Sequence, residues 1–375
     1  MKVLIIGGTG TMGAPLVEIL SRDKDNIIDI ISRHDCKSSI SNIHYIVADA
    51  LDSQNMKNIL RKNPVYDAIV DFMVYQVSQY KEILDMFLQN TKQYILMSTA
   101  CIYQEPTAGK KITEETPRLI DSYSEEKKHN LKSYHIMKSN LDDIVFASPL
   151  KNWTMIRPHI TYNTNKFLFV LWHKDVWLYR ALNYKQIVLP RDAMSCIQTL
   201  TFGNDVAYAI SKLIGNKKAL GEIVNIASNK TITWQQVTDS FLNAFENIFG
   251  IKPKIKWIEN AQTIYDAIKD ANDYNMQDHL VRREFDLSKL YNIISEELHF
   301  TEFSDNIEYC IRKLAEKNKD TEIKTDGIIN GYMDRITHSR TSLNDISGKR
   351  GKLLYLCYRM GFTPKILVNW LANYK

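Results

Sequence analysis

The segment IIGGTGTMG, residues 5–13, places four glycines between a β-branched apolar run and a helical pattern. These glycines fit two spacings, G-x-G-x-x-G and G-x-x-G-x-x-G, which share Gly10 and Gly13 and open at Gly8 or at Gly7. A turn without Cβ atoms lets the backbone approach a pyrophosphate, and the start of the following helix supplies N–H donors and a positive dipole end. Strand, glycine turn and helix in this order predict a dinucleotide-binding site.

Around this turn, the first 160 residues alternate between short apolar runs and helical patterns. The predicted strands are Val3–Ile6, Ile27–Ile31, His44–Val47, Ala68–Asp71, Gln93–Met97 and Trp153–Ile156. The predicted helices are Met12–Ser21, Ser53–Lys62, Gln79–Leu88 and Leu131–Phe146. Such alternation is typical of a parallel sheet with helices on both faces. The sequence therefore predicts an α/β protein with a doubly wound, Rossmann-type sheet.

Beyond residue 160 the pattern becomes less regular and begins with the aromatic stretch FLFVLWHKDVWLY. We expect residues 1–160 and about 186–230 to form the nucleotide-binding domain. Residues 161–185 and 231–315, approximately, are expected to form a smaller C-terminal α/β domain for the substrate. After the charged segment EKNKDTEI, residues 324–375 are predicted to be a basic, aromatic extension.

Composition restricts the class of protein. The 375 residues are 45% hydrophobic, and a net charge of +5 against 48 basic and 43 acidic side chains gives no indication of a nucleic-acid partner. Five scattered cysteines without a C-x-x-C pair disfavour disulfides and structural zinc, and nine dispersed histidines form no metal-binding motif. The cysteine pattern fits a reducing cytoplasm, and we expect no metal site. No apolar run approaches the roughly 20 residues of a membrane helix, so we expect no integral membrane segment.

The end of the second predicted strand bears on which dinucleotide binds. An NAD site often has an acid there for the ribose 2′-hydroxyl, whereas this chain has Ser32 and Arg33. A guanidinium pairs with a 2′-phosphate, so the sequence favours NADP over the alternative, NAD; Arg33 as a solvated loop cation is the other interpretation. Asp49 follows the third strand and either accepts the adenine amino group or caps the next helix.

In the segment SYHIMKSN, Tyr134 and Lys138 are one helical turn apart and share a helix face. The same spacing also occurs by chance on exposed amphipathic helices. The order of motifs along the chain favours a site, because the glycine turn is followed by STACIY after the fifth strand, then YHIMK, then IRPHITY after the sixth.

These ordered motifs resemble the short-chain dehydrogenase/reductase superfamily over about residues 1–315, in its extended branch of NAD-dependent epimerases and dehydratases that act on nucleotide sugars. GGTGTMG resembles the family's cofactor turn, ALD its adenine-contacting segment and MSTACIY its S-S-x-x-h-Y segment. RPHITY is similar to the R-P-x-x-h-Y-G segment near the nicotinamide, and TFGNDVAYAI and FDLSKL are similar to later family elements.

The resemblance implies a catalytic set of Thr99, Tyr134 and Lys138. A tyrosine has a reference pKa near ~10, and an adjacent ammonium lowers it by favouring the phenolate. Lys138 would do this while holding the nicotinamide ribose. Tyr134 would then be the general acid toward a ketone or the base toward an alcohol, with Thr99 hydrogen-bonded to the same oxygen.

Two departures from the family pattern concern the reaction and the shape of the site. Dehydratases carry an acid pair after the active-site threonine, where this chain has Ala100 and Cys101, which disfavours dehydration. The loop DFMVYQ places the bulkier Met73 against the cofactor. The predicted cofactor site is Gly7, Gly10, Thr11, Met12, Gly13, Ser32, Arg33, Asp49, Ala50, Met73, Tyr134, Lys138 and Arg157. The predicted substrate site is Thr99, Cys101 and Arg283, the last where the family contacts the substrate diphosphate.

We therefore expect an NADP-dependent oxidoreductase that reduces a keto group of a nucleotide-activated sugar, for example a 4-keto-6-deoxy sugar, for polysaccharide or glycoconjugate synthesis. A nucleotide-sugar 4-epimerase that retains NAD is the alternative, and a non-catalytic NADP-sensing or binding protein is a further one. The family suggests a homodimer through two long helices per subunit. The basic extension is expected to pack on its own globule, with an anionic membrane surface, another subunit or the glycolipid machinery as alternative contacts.

Overall fold

A computed structural model describes residues 1–62, 65–107, 109–124, 134–268, 276–318 and 323–362. The chain divides into two compact units. Unit 1 comprises Met1–Asn163, Thr199–Lys230 and Arg283–Thr301, and unit 2 comprises Thr164–Gln198, Thr231–Arg282 and Glu302–Lys375. Within the described residues, no helix is both long and apolar enough to span a bilayer.

The strands in chain order are β1 (Lys2–Ile6), β2 (Ile27–Ser32), β3 (Ile43–Val47), β4 (Ala68–Asp71), β5 (Tyr94–Met97), β6 (Trp153–Pro158), β7 (Thr161–Tyr162), β8 (Leu168–Phe169), β9 (Trp172–His173), β10 (Ile187–Pro190), β11 (Ile197–Gln198), β12 (Thr201–Phe202), β13 (Glu222–Ile226), β14 (Ile232–Thr233) and β15 (Ile255–Ile258).

The helices are α1 (Gly13–Ser21), α2 (Ser53–Lys62), α3 (Val77–Gln89), α4 (Tyr134–Ala147), α5 (Lys174–Leu182), α6 (Gly203–Leu213), α7 (Trp234–Phe249), α8 (Ala261–Ile268), α9 (Ser288–Ile294), α10 (Phe303–Asn318), α11 (Gly327–Ile336) and α12 (Gly348–Met360).

Unit 1 is built on a seven-stranded sheet in the order β13-β6-β5-β4-β1-β2-β3, in which every pairing is parallel. The strand order reverses at β1, since the chain first moves outward to β2 and β3 and then returns to β4 on the other side. In open parallel sheets, the crevice at such a reversal, beyond the carboxyl ends of the strands, is where ligands bind. The predicted doubly wound α/β fold is confirmed.

Helices cover both faces of this sheet. One apolar cluster contains the buried face of α1 and α6, for example Leu16 and Val206, against Val3 and Ile5 of β1. The second joins α2, α3 and α4 to the opposite side chains of the same strand, beginning with Leu4. Alternate residues of β1 therefore enter different cores, which explains why the strand is apolar throughout and not alternating.

In unit 2, the parallel pair β10–β15 and the antiparallel pairs β8–β9 and β11–β14 accompany a helical array. Helix α7 packs on α10, and α11 packs closely on α12. The aromatic stretch predicted to interrupt the pattern forms β8, β9 and α5, and its Trp177 contacts the ring of Phe241 at 5.0 Å.

The division into units differs from the expected domain boundaries in three places. Residues 187–198 lie in unit 2, because β10 pairs with β15 of that unit. Residues 283–301 lie in unit 1, where the main-chain oxygen of Arg283 accepts from Thr199 Oγ1 at 2.8 Å. The predicted C-terminal extension is part of unit 2, in which Arg180 of α5 pairs with Asp334 of α11 at 2.9 Å with both side chains fully buried. The first three residues of the predicted helix Leu131–Phe146 lie outside the described residues.

Candidate active site

The glycine turn lies between β1 and α1 at the point where the strand order reverses. Gly7 has φ +82°, and Gly10 N–H donates to Gly7 O at 3.1 Å. A Cβ at Gly13 would collide with Gly7 O, and one at Gly8 would lie 2.9 Å from Ile30 Cγ2. These close approaches require glycine and fold the chain into a narrow bend.

This bend fits the pyrophosphate of a dinucleotide. Gly10 is exposed, Thr11 and Met12 are half-buried, and no acid lies in the first turn of α1 to oppose an anion at its positive end. The main-chain oxygen of Thr11 accepts from Asn163 Nδ2 at 2.9 Å, and a Cβ at Gly203 would lie 2.6 Å from the same oxygen. The far side of the turn is therefore fixed by β7 and α6.

The residues predicted for the adenosine end follow β2, β3 and β4. Arg33 is exposed, whereas Ser32 is held in a local turn in which its hydroxyl donates to His34 O at 2.9 Å. Asp49 is exposed and accepts from Leu51 N at 3.0 Å; Asp52 receives the N–H of Asn55 at the start of α2. The cap at α2 thus belongs to Asp52, and the alternative that Asp49 caps this helix is wrong.

Two further predicted residues have contacts at this edge of the sheet. Ala50 is buried in the core beneath the edge. Met73 is half-buried against the same core, and its N–H donates to Asp71 Oδ1 at 2.9 Å. The bulky Met73 side chain therefore lies two residues beyond the end of β4.

Thr99 and Lys138, two of the predicted catalytic residues, lie at the end of β5, and the third, Tyr134, lies one helical turn before Lys138 on α4. Thr99 Oγ1 accepts from Cys101 N at 3.3 Å and caps the short 3₁₀ turn Ala100–Ile102, against which α4 packs. Lys138 of α4 donates from Nζ to Met97 O, the last residue of β5, at 2.8 Å. The same Nζ lies 5.9 Å from the ring centre of Tyr134. The spacing of one helical turn thus brings phenol and ammonium together, with Cys101 electrostatically coupled to both.

The electrostatic environment differs from the expected one. Although the Tyr134 side chain as a whole is 37% exposed, desolvation of its hydroxyl, with a contribution from Cys101, raises the pKa of Tyr134 above its usual value. Burial also lowers the pKa of Lys138, against the opposing effects of Asp142, Asp71 and Cys101. The ammonium of Lys138 donates to Met97 O and not to the phenol, and the expected lowering of the Tyr134 pKa by Lys138 stays a prediction.

Those two acids were missed in the sequence. Asp71 ends β4, is buried, and accepts the hydroxyls of Tyr94 at 2.8 Å and Tyr75 at 2.9 Å. Burial raises the pKa of Asp71 to about 6. Asp142 lies one turn beyond Lys138 on α4, and burial raises its pKa as well. The available signal was a repeat of titratable residues at i, i+4 and i+8, from Tyr134 through Lys138 to Asp142.

Arg157 and Arg283 are placed differently from their predicted roles. Arg157, predicted beside the nicotinamide, is 2% exposed and pairs with Asp142 at 2.7 Å. It also donates to the hydroxyl of Tyr103 at 2.8 Å. Arg283, predicted to bind a diphosphate, is 2% exposed and donates to the main-chain oxygens of Tyr103 and Gln104 at 3.2 and 3.4 Å. Both guanidinium groups have protein partners that occupy these donors.

The glycine turn and the Tyr134–Lys138 pair are linked through the end of β4. A Cβ at Gly7 would lie 3.1 Å from Cβ of Phe72, and the preceding Asp71 is coupled to Lys138. A dinucleotide held by the turn would supply hydride transfer when bound. The chain's own groups would orient a substrate oxygen through Thr99, exchange a proton at Tyr134 Oη, and hold the ribose through Lys138.

Comparison with known proteins shows the fold but leaves the reaction open. No family model matches the chain. Among curated proteins, the chloroplast stem-loop binding protein of 41 kDa b from Arabidopsis thaliana is 27% identical over 247 residues, which cover 62% of this chain and 60% of that protein. The match therefore spans less than two thirds of that relative.

Among solved structures, UDP-glucuronic acid 4-epimerase from Bacillus cereus, crystallised with UDP-glucuronic acid and NAD, superimposes with a TM-score of 0.61 at 14% identity, covering 84% of this chain and 99% of that one. The dTDP-glucose 4,6-dehydratase of Bacillus anthracis, in complex with NAD, has a TM-score of 0.61 at 17% identity and coverages of 86% and 98%. The fold is that of such epimerases and dehydratases, as the sequence motifs predicted.

Proposed function

We propose that this protein, which has the fold of the extended short-chain dehydrogenases/reductases, is a nicotinamide-dependent oxidoreductase that acts on a nucleotide-activated sugar. The proposal is supported by the proximity of Lys138 Nζ to the Tyr134 ring, 5.9 Å from its centre, and by the hydrogen bond from Lys138 to the last residue of β5, two residues before Thr99. The similar solved structures carry NAD and, in one case, UDP-glucuronic acid, which is consistent with this substrate class.

Within this class we propose an NADPH-dependent keto-sugar reductase. Ala100 and Cys101 are buried where an acid pair would be needed for dehydration. The exposed Arg33 offers a guanidinium for a 2′-phosphate at the end of β2. An NAD-retaining 4-epimerase is supported equally well by the similarity to epimerase structures. The two reactions differ in cofactor use, since a reductase consumes NADPH and an epimerase leaves its nicotinamide unchanged.

The catalytic proposal is tested with Tyr134→Phe, which removes the acid and retains the ring. We expect turnover of keto-sugar substrates to fall by about 10²- to 10⁴-fold, the usual contribution of a positioned acid or base. The matched control is Tyr309→Phe, because Tyr309 is also exposed but lies on α10. Unchanged turnover in Tyr134→Phe would remove the acid–base assignment.

Cofactor choice is tested by measuring dissociation constants of NADPH and NADH for the wild type and Arg33→Ala. A 2′-phosphate contact predicts that Arg33→Ala weakens NADPH and leaves NADH unchanged. Equal effects on both, or a preference of the wild type for NADH, would favour NAD and the epimerase reaction. Stoichiometric NAD in the purified protein would lead to the same conclusion.

A second candidate function is stem-loop binding. It is suggested by the name of the Arabidopsis relative. It would contradict the expectation of no nucleic-acid partner and would agree with the non-catalytic alternative. Gel-shift titration with a stem-loop RNA and a single-stranded control of the same composition tests it. Salt-dependent binding that prefers the stem-loop would support this function, and equal weak binding of both RNAs would exclude it.

A further inference from the structure

Helix α12 has an unexpected apolar surface. Its buried face carries Leu354, Tyr355 and Tyr358 and packs on α11. On the opposite side, Leu353, Leu356 and Met360 are 41%, 40% and 63% exposed. Spacings of three and four residues align these side chains in one stripe. The solvent-facing side of a helix normally carries polar residues, so an apolar stripe there indicates a surface that binds a partner.

The stripe continues beyond the helix. Phe362, just after its end, is 63% exposed, and Leu343, in the loop before it, is 38% exposed. Beside Leu343 and Leu356 lies a groove of about 560 Å³. The groove is lined by Arg340, Thr341, Ser342, Leu343, Asn344, Tyr355, Leu356 and Arg359. Its lining thus combines two guanidinium groups with leucines and contains no carboxylate.

Internal hydrogen bonds shape this groove. Thr341 Oγ1 and Tyr355 Oη donate to the buried Asp334 at 2.7 and 2.9 Å, and Thr341 N–H donates to Tyr355 Oη at 2.8 Å. Arg359 Nε donates to Ser339 O at 3.2 Å, which fixes the base of its guanidinium. The floor of the groove is therefore rigid, and Arg340 is exposed at its rim.

The charged residues of α12 have one sign. The described residues from Ser347 to Phe362 include Lys349, Arg350, Lys352 and Arg359 and no acid. A second copy of the same face would bring these cations together, which is unfavourable for self-association. The complementary partner is anionic. It must also accept apolar side chains from a single helix face.

We propose that α12 and the adjoining groove form a peripheral contact with an anionic phospholipid surface. Leu353, Leu356 and Met360 enter the boundary between head groups and acyl chains, and Arg340 and Arg359 bind lipid phosphates. An interfacial helix needs only an apolar stripe flanked by Lys and Arg. A stable protein interface typically covers roughly 800 Å² on each partner, more than the five partly exposed apolar side chains of this surface supply. The proposal is independent of the catalytic one.

The test is co-sedimentation of the full chain with vesicles of phosphatidylcholine alone or with about 30 mol% phosphatidylserine, near physiological ionic strength. We expect sedimentation with the anionic vesicles, little with neutral ones, and release when NaCl is raised to about 1 M, where screening shortens to about 3 Å. Failure to bind anionic vesicles, or equal binding to both compositions, would overturn the proposal.

Variants locate the contact. Leu353→Ser/Leu356→Ser should reduce binding through lost apolar insertion, and Arg340→Gln/Arg359→Gln should lower the partition coefficient by about tenfold or more, since each cation near such a surface contributes roughly a fivefold factor. The matched controls are Leu150→Ser/Leu220→Ser and Arg22→Gln/Arg61→Gln, all at exposed positions of unit 1.

Circular dichroism and melting temperature show whether each variant is folded. Equal loss of vesicle binding in the test and control variants would mean that the whole basic surface attracts the vesicles. That result would overturn the assignment of the contact to α12. A wild type that ignores vesicles but binds soluble polyglutamate through Arg340 and Arg359 would identify an acidic protein as the partner, and the membrane proposal would be wrong.

Discussion

The ammonium of Lys138 donates to Met97 O at 2.8 Å, and its pKa is lowered by burial against the opposing electrostatic effects of Asp142 and Asp71. A buried lysine without such partners would tend to lose its proton. Here the two acids support the charged form that a ribose or a phenolate would require. If the proposed site is correct, Asp71 and Asp142 are expected to act in it through Lys138, as positioning residues.

Asp71 gives a pH prediction at the level of a single residue. Burial raises the pKa of Asp71 to about 6, so its neutral form stabilises the fold at low pH and this stability is lost as pH rises between about 4 and 6. Over this pH range the contribution of Asp71 to the free energy of unfolding changes by about 3 kcal/mol. In Asp71→Asn we expect the free energy of unfolding, measured by urea titration from pH 4 to 7, to lack this decline.

Asp67→Asn is the control for this measurement. The pKa of Asp67 is lowered, chiefly by its hydrogen bond from Lys92, so Asp67 contributes stability that is present at neutral pH and lost as pH falls. The two variants should therefore change the pH slope in opposite directions. Identical slopes in Asp71→Asn and wild type would mean that Asp71 is charged throughout this range.

The Arg157–Asp142 pair gives a second prediction. Their side chains are 2% and 1% exposed, so removal of one partner leaves an uncompensated buried charge. We expect Arg157→Met to lower the free energy of unfolding by about 3–5 kcal/mol and the double variant Arg157→Met/Asp142→Leu to lower it considerably less. Chemical denaturation of the two single variants and the double variant measures this coupling. Additive losses would show that the residues do not act as a pair.

At the scale of elements, the glycine turn connects local sequence to the position of α1. Because Gly13 touches Gly7 O where a Cβ would stand, Gly13→Ala must displace the start of α1. We expect loss of NADPH-induced thermal stabilisation together with a lower melting temperature. Gly348→Ala, at φ +64° with open space around it, should cost only about 1–2 kcal/mol and leave cofactor binding intact. Normal cofactor binding by Gly13→Ala would exclude the turn as the pyrophosphate site.

The sequence predicted most elements of the sheet because their signals are local. The predicted β4, Ala68–Asp71, has the observed bounds, and α2 is likewise correct as Ser53–Lys62. The seventh strand, β13, was not specified, because EIVNI resembles many short apolar runs and its place beside β6 depends on long-range pairing. Periodicity reports which face is buried but not the partner that covers it.

Side-chain partners at the site were less predictable for the same reason. The i, i+4 relation of Tyr134 and Lys138 is a property of one helix and could be read directly. The resemblance of RPHITY to a family segment near the nicotinamide predicts a cofactor role for Arg157. Its observed partner, Asp142, lies 15 residues earlier and meets it only after α4 packs on the sheet. A motif match predicts where a residue lies in the fold. The role of that residue depends on the neighbours that the tertiary structure brings to it.

At the scale of the whole molecule, the C-terminal residues complete unit 2. Asp334 accepts hydrogen bonds from Arg180, Ser339, Thr341 and Tyr355, so the loop after α11 and the helix α12 are both connected to α5. Such a buried, fully paired network makes the described part of the predicted extension inseparable from the unit's core. Lys365 and Lys375 of that extension lie outside the described residues.

The family resemblance predicts that the protein forms a homodimer through two long helices of each subunit. In unit 1, α3 and α4 pack together. The exposed positions of α3 are Ser78, Lys81, Glu82, Asp85 and Gln89. On α4, Asp143 is exposed in the same way. A two-fold contact through this surface would rely on charge pairing more than on apolar burial.

Such a dimer should therefore be sensitive to salt. We expect the dissociation constant from sedimentation velocity to rise at least about tenfold between about 0.1 and 1 M NaCl, because the screening length falls from about 10 to 3 Å. Glu82→Lys/Asp85→Lys should disrupt the dimer by placing like charges together, whereas Glu246→Lys on α7 of unit 2 should leave it intact. A chain that stays monomeric at low salt would contradict the homodimer. A dimer indifferent to salt and to the α3 variant would place its interface on another surface, because contacts made of exposed carboxylates and ammonium groups cannot escape screening.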